Sequence, residues 1–282
     1  MWHVRHSALF ALPAILSRLP PDQRRTVALD TLLPLSSDAH PTVRSGVLEA
    51  LGEVIHSFHH HPEYLPDQLV LLFLGRPEDA WVRAGTSDPR KRLRSLSPLE
   101  SFYTDPKRSL ICAFNFPAVT LTLGSGGWPR LRQTYLDMTE NATGGVQRTL
   151  AASIGEIAKI IGKKQSLEDL VGVWNAVIRS EDDEVRLKAI ESLNDLFGVV
   201  GTPAMEDILS RLLDVWNDGS LRTWRERSMI QKSLGAWPYL DQLVDPTIAT
   251  RLLFKGLEDN VATVREDALS SVRFWVCLVD DG

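Results

Sequence analysis

All seven histidines of the chain lie within its first 61 residues, and four of them, His56, His59, His60 and His61, form a cluster that invites a metal-ion reading. The spacing argues against it. His59, His60 and His61 are contiguous and stand just before Pro62, so they cannot all converge on one ion, and no carboxylate is spaced to orient them. Histidines near a helix C-terminus need no metal, because the negative end of the helix dipole favours them there. The chain has no His-Glu dipeptide, no H-E-x-x-H and no G-x-S-x-G elbow, and neither cysteine has a base partner in the pattern. Gly124-Ser125-Gly126-Gly127 lacks the lysine and hydroxyl of a phosphate loop and reads as a turn between two helices. Carboxylates gather at turns, where helix capping accounts for them. The expectation is a protein with no catalytic residue, no metal and no cofactor.

One modification chemistry survives. Arg92-Leu93-Arg94-Ser95 places arginine three residues before a serine, and Ser97-Pro98 is a proline-directed site. Phosphorylation of Ser95 or Ser97 would add roughly −1.5 to −2 charges to a basic run and change what it binds. Asn141-Ala142-Thr143 matches a glycosylation sequon but is set aside for a chain expected in the cytoplasm, with the nucleus as a second compartment.

The elements that would carry these residues follow from composition and period. With 44% hydrophobic, 24% charged and 7% aromatic residues in 282, the chain has globular composition. A net charge of −5 argues against nucleic acid as the main partner, since phosphate neutralisation needs surplus lysine and arginine. Proteins are the expected partners. Cys112 and Cys277 cannot build a disulfide framework or a thiolate metal site, which fits a reducing compartment. The apolar run Ala8 to Leu16 is broken by Pro13 and ended by Arg18, unlike a secretory leader, and the next longest run, Leu69 to Leu74, is far short of the ~20 residues that cross a bilayer. No membrane is expected.

A repeat then emerges. Valine followed by arginine, with a hydrophobic residue eight positions on, occurs at Val4-Arg5, Val43-Arg44, Val185-Arg186 and Val264-Arg265, with looser copies at Val82-Arg83, Val146 with Arg148, and Glu226-Arg227. The anchors are separated by 39, 39, 64, 39, 41 and 38 residues, so a single gap exceeds the period, by 25. Residues 84–107 account for it: prolines, serines and clustered Arg90, Lys91, Arg92 and Arg94 leave no apolar period of 3.6, predicting a mobile insertion. Helix resumes at Arg108, with Leu110, Ile111, Phe114 and Val119 as expected apolar contacts.

Each unit reads as two helices. Leu167-Leu170-Val171-Trp174-Val177-Ile178 marks a first helix and Val185-Ala189-Ile190-Leu193-Leu196-Phe197 a second, joined by Arg179 to Glu184, too short for anything but an antiparallel pair. Thr223-x-x-Glu226 and Thr263-x-x-Glu266 predict capping boxes on second helices, and Ser166-x-x-Asp169 a cap on a first helix. Asp182, Asp183 and Asp259 should face the anchor arginines of neighbouring units. A lone hairpin cannot bury both faces, so neighbours must stack on it. The prediction is an all-α solenoid of about seven hairpins, with repeats over 1–83, the insertion at 84–107 and repeats over 108–282. The absence of polar capping hairpins reads as truncation at both ends.

These residues resemble a known family, the HEAT repeats of the armadillo-type fold. Leu110 to Trp128, LICAFNFPAVTLTLGSGGW, followed by Leu131, Tyr135 and VQRTLAASIGEIAKIIG from Val146 to Gly162, is similar to the regulatory subunits of type 2A-like protein phosphatases, most closely the protein phosphatase 4 regulatory subunit 1 family in its fungal form. The resemblance implies a non-catalytic subunit that binds a Ser/Thr phosphatase catalytic subunit and directs it to substrates. In the related scaffold subunits, turns within the repeats form a ridge on which a W-R-x-R tryptophan touches the catalytic subunit. Trp224-Arg225-Glu226-Arg227 matches that motif, preceded by Asp218 and Arg222, and the resemblance assigns partner binding to Trp224, Arg225, Arg222 and Asp218, with Trp81 at a similar position. The bland alternative has these tryptophans packing between hairpins. A karyopherin-like transport receptor, also helical and acidic, is the rival reading.

Overall fold

The computed structural model describes residues 1–75, 98–141, 144–237, 239 and 242–280, with the side chains of 273–280 left out. The chain forms two compact units, Met1–Tyr135 and Leu136–Gly282. Among the described residues every regular element is helical, the all-α helical-repeat class that the periodicity predicts.

In the first unit, α1 (Trp2–Leu16), α2 (Pro21–Ser36), α3 (Pro41–His56), α4 (Asp67–Leu74) and α5 (Pro98–Tyr103) precede the long α6 (Arg108–Asn141). Proline begins α2 and α3, where its missing N–H costs nothing and its fixed φ suits the first turn. Two buried arginines tie helix ends together. Arg24 of α2 donates to the carbonyls of Leu16, Leu19 and Ser57, at the C-terminal ends of α1 and α3. Arg108 at the head of α6 donates to Leu72 and Phe73 at the end of α4, at 2.6 and 2.8 Å. Each cation lies where a helix dipole and orphan carbonyls are most negative.

The pairing of α4 with α6 relocates the third repeat. Phe73 and Phe116 meet with ring centroids 5.9 Å apart, and Cys112 Sγ approaches the Phe73 carbonyl at 3.6 Å. The second helix of this repeat is therefore the first half of α6; the Val82 anchor lies outside the described residues. The extra residues fall between the two helices of one hairpin. Of the segment read as an insertion, 84–97 lies outside the described residues, whereas 98–107 carries α5, whose Phe102 is buried, and an Asp105 turn into α6. The short helix escaped the periodicity because six residues span less than two turns.

Glycine 124 breaks α6 with φ 65° and ψ −174°, and Gly162 and Gly201 share this conformation, at φ 84° and 81°. The three stand 38 and 39 residues apart, each where one repeat's second helix passes to the next repeat's first helix. A Cβ is strained in that region of backbone space, so these three junctions favour glycine. By length and composition α6 could cross a membrane. Its helical path is interrupted at Gly124, and Phe116, Val119, Trp128, Leu131 and Tyr135 are buried within the first unit.

In the second unit α7 (Gly144–Ile161) is followed by Lys163–Gln165, a π-turn Ser166–Leu170 and Val171–Val177, which run on as one rod, α8. Then come α9 (Asp183–Glu191), α10 (Leu193–Val200), α11 (Thr202–Asn217), α12 (Trp224–Leu234), α13 (Thr247–Leu257) and α14 (Ala262–Asp280). First helices α8, α11 and α13 pack side by side, and second helices α7, α9–α10, α12 and α14 form a parallel layer against them. Val185, Ala189, Ile190, Leu193, Leu196 and Phe197 are all buried, as their spacing predicts, and Trp174 fills the core with its indole N–H on the Ala189 carbonyl at 2.8 Å.

Three local expectations are corrected. Ser166 does not cap a helix: its hydroxyl donates back to the Gly162 carbonyl inside α8, which starts earlier, at Lys163 after the turn glycine. Thr263 is already inside α14, and Asp259 takes the N-terminal role by accepting from Val261 N at 2.8 Å. Val4, Leu110 and Phe114 are 60%, 47% and 76% exposed, so none of them serves as a buried apolar contact.

Candidate functional site

The anchor arginines build a ladder along the turns inside the repeats. Arg44, Arg186, Arg227 and Arg265 each donate to a carbonyl six residues earlier, those of Asp38, Ser180, Leu221 and Asp259, at 2.6 to 3.0 Å. This closes the turn that precedes the second helix. A second donor of several anchors reaches an acid of the following repeat. Arg5 meets Asp38 at 2.7 Å, Arg148 meets Asp182 at 3.8 Å, Arg186 meets Glu226 at 2.5 Å and Arg227 meets Asp259 at 2.6 Å. The expected pairing therefore holds for Asp182 and Asp259, while Asp183 makes no such ion pair among the described residues. The Arg5 guanidinium, first through its hydrogen bonds, holds the Asp38 carboxyl below its ordinary value.

On this frame sits the turn 218–223 between α11 and α12. Asp218 accepts from Ser220 N at 2.9 Å, and the Ser220 hydroxyl and then this backbone N–H hold the Asp218 carboxyl below its usual range, with Arg179 adding to the effect. Leu221 plugs into the core. Thr223 and Glu226 form the expected capping box: Glu226 Oε2 accepts from both the backbone N–H and the hydroxyl of Thr223 at 2.8 Å. Glu226 is fully buried and reserved for Arg186, so the middle of the W-R-x-R motif is structural.

The first two residues of that motif point outward. Trp224 is 42% exposed at the head of α12, and the Arg225 guanidinium lies over its ring 5.5 Å from the centroid, a cation–π contact that stiffens both. Arg222 reaches back to Glu181 of the preceding turn at 2.7 Å, both side chains exposed. Four of the predicted residues, Asp218, Arg222, Trp224 and Arg225, are thus gathered on one turn. Trp128, Trp174 and Trp237 are buried, whereas Trp224 leaves 42% of its surface exposed. Trp81, Ser95 and Ser97 lie outside the described residues. Glu181, which joins the ridge across to Arg222, was not singled out in the sequence; its 41-residue separation from Arg222, close to the repeat period, was the available signal.

No group of three or more histidine, cysteine, aspartate or glutamate side chains is placed to hold a metal ion among the described residues. His56 stacks on His59 at 5.5 Å, and His61 Nδ1 faces Glu63 at 3.4 Å. What the ridge offers is an exposed aromatic face with fixed charges around it, which suits recognition of another protein.

Residues 112–215 match the family described as protein phosphatase 4 regulatory subunit 1 middle domain. Over 181 residues the chain is 31% identical to serine/threonine-protein phosphatase 4 regulatory subunit 1 of Homo sapiens, and equally so to the proteins of that name from Mus musculus and Rattus norvegicus. Those alignments take in 61% of this chain and 18% of each relative, so the chain spans less than a fifth of the length of the relatives it matches. The family match stops just short of the 218–223 turn. Residues 112–215 are thus similar to the middle domain of protein phosphatase 4 regulatory subunit 1, and the chain over its 181 aligned residues to a part of the mammalian proteins of that name.

Proposed function

We propose that this chain is part of a non-catalytic scaffold that binds the catalytic subunit of a Ser/Thr protein phosphatase, that of protein phosphatase 4, and directs its activity or substrate choice. The observation that carries the reading is the exposed Trp224 with Arg225 stacked on it, at the head of a helix whose first turn is locked by the buried Arg186–Glu226 pair. A rigid aromatic anchor loses little entropy on docking, and such residues dominate interface energies. The kinship with regulatory subunits supports the choice of partner over a transport cargo. The inserted residues between α4 and α5 belong to the same scaffold, and its place of action is the cytoplasm and nucleus.

The test is capture of purified phosphatase 4 catalytic subunit by the immobilised chain. Trp224→Ala and Arg225→Ala should each weaken capture about ten-fold or more, as loss of an interface hot spot does. Equal capture by wild type and Trp224→Ala would remove the ridge from the interface, and no capture at all would remove the partner.

A further inference from the structure

Helix α6 carries an apolar stripe that the repeat does not require. On α6, Leu110, Phe114 and Leu121 are 47%, 76% and 40% exposed, at spacings that place them along one side of the helix. At the same register one repeat later, α7 carries Arg148, Ala152 and Lys159. Stacking of hairpins is therefore satisfied by polar or small residues at these positions, and three large apolar side chains facing water serve something else.

The neighbouring helix supplies the complement. Helix α3 runs parallel to α6 and touches it along one edge: Ser45 Oγ donates to Asp105 at 2.8 Å, a side chain at Gly52 would collide with Asn115, and Thr122 Oγ1 lies 3.5 Å from His56 Nδ1. On the same helix stand Glu49, half-buried, and Glu53, exposed, one helical turn apart, and neither carboxylate is ion-paired among the described residues. The face thus offers an apolar row beside an acidic row.

We propose that this face of α3 and α6 is a docking site for a basic amphipathic helix of a partner protein. Its apolar residues, at i, i+3, i+4 and i+7, would lie on Leu110, Phe114 and Leu121, and its lysines or arginines, one turn apart, would meet Glu49 and Glu53. The acidic row disfavours an acidic helix by like-charge repulsion.

The probe is a fluorescein-labelled peptide of about 18 residues with leucines at that spacing and flanking lysines, titrated against the full chain by anisotropy. Wild type should bind it saturably, Phe114→Glu should weaken binding about ten-fold or more, and Glu49→Lys with Glu53→Lys should shift preference to a peptide bearing glutamates in place of the lysines. Because Phe114 and Glu53 are exposed and Glu49 is half-exposed, the variants should keep the wild-type circular dichroism melt. Capture of the phosphatase subunit through Trp224 should also be unchanged by Phe114→Glu, which separates the two sites. Equal binding of both peptides by wild type, or unaltered binding by Phe114→Glu, would overturn the proposal. So would a concentration-dependent dimer abolished by Phe114→Glu in sedimentation, because the occupant would then be a second copy of the chain.

Discussion

Arg186 of α9 and Glu226 of α12, forty residues apart in sequence, meet at 2.5 Å with both side chains almost wholly excluded from water. The carboxylate also closes the Thr223 cap, and the guanidinium also closes the turn at the Ser180 carbonyl. One ion pair therefore finishes two adjacent repeats. Its Coulomb attraction offsets the cost of burying both charges, so its net stabilisation is modest, but its loss from one side is not.

Glu226→Ala should consequently destabilise the second unit by roughly 3–5 kcal/mol, since it strands a buried guanidinium and removes a cap. The double variant Arg186→Met with Glu226→Leu should cost less than Glu226→Ala alone. Urea denaturation of wild type and the two variants gives the comparison, and a double variant less stable than Glu226→Ala would contradict it.

The Arg5–Asp38 pair makes a pH prediction. The folded carboxyl of Asp38 titrates below the 3.8 of an unperturbed aspartate, so its stabilisation is present above that value and is lost as pH falls through the lower folded value. Asp38→Asn should lower the melting temperature at neutral pH, and the gap from wild type should close in strong acid. A gap that widens on acidification would show that the pair is not formed.

Junction glycines should respond differently from helical ones. Gly162→Ala and Gly201→Ala force a Cβ into positive-φ backbone and should each cost about 1–3 kcal/mol. Gly172→Ala, within α8 with nothing near the added carbon, should stabilise by up to about 1 kcal/mol. Melting temperatures of the three variants decide it.

Two tryptophans of the same unit should separate stability from recognition. Trp174→Ala opens a cavity in the core and should cost about 3–5 kcal/mol. Trp224→Ala should stay within about 1 kcal/mol of wild type while losing partner capture. A large loss of stability in Trp224→Ala would mean that its ring is structural.

Much of this architecture was legible because burial repeats with the chain. Val185, Ala189, Ile190 and Leu193 announce a helix face by spacing alone, and Thr223 with Glu226 announces where the helix starts. The same signals misled where local chemistry and packing disagree. Thr263 and Ser166 have the residue types of caps, but Asp259 and the Gly162 turn set those helix starts. Helix is expected to resume at Arg108, and the pairing of Arg108 with the end of α4 shows why: α6 is the partner of α4 in that hairpin. Phe114 carries no sign in the sequence that it faces water, because exposure of an apolar residue depends on which neighbours the stack supplies. At the ridge, Trp224 and Arg225 were found through motif resemblance, and the internal duty of Glu226 became visible only with its partner forty residues away.

The anchor guanidiniums bridge only successive turns, so within the second unit mechanical load passes from each hairpin to the next and no farther. Stretched from its ends, that unit should yield in discrete steps of one hairpin each, with the steepest force at the layer held by Arg186, rather than rupture all at once.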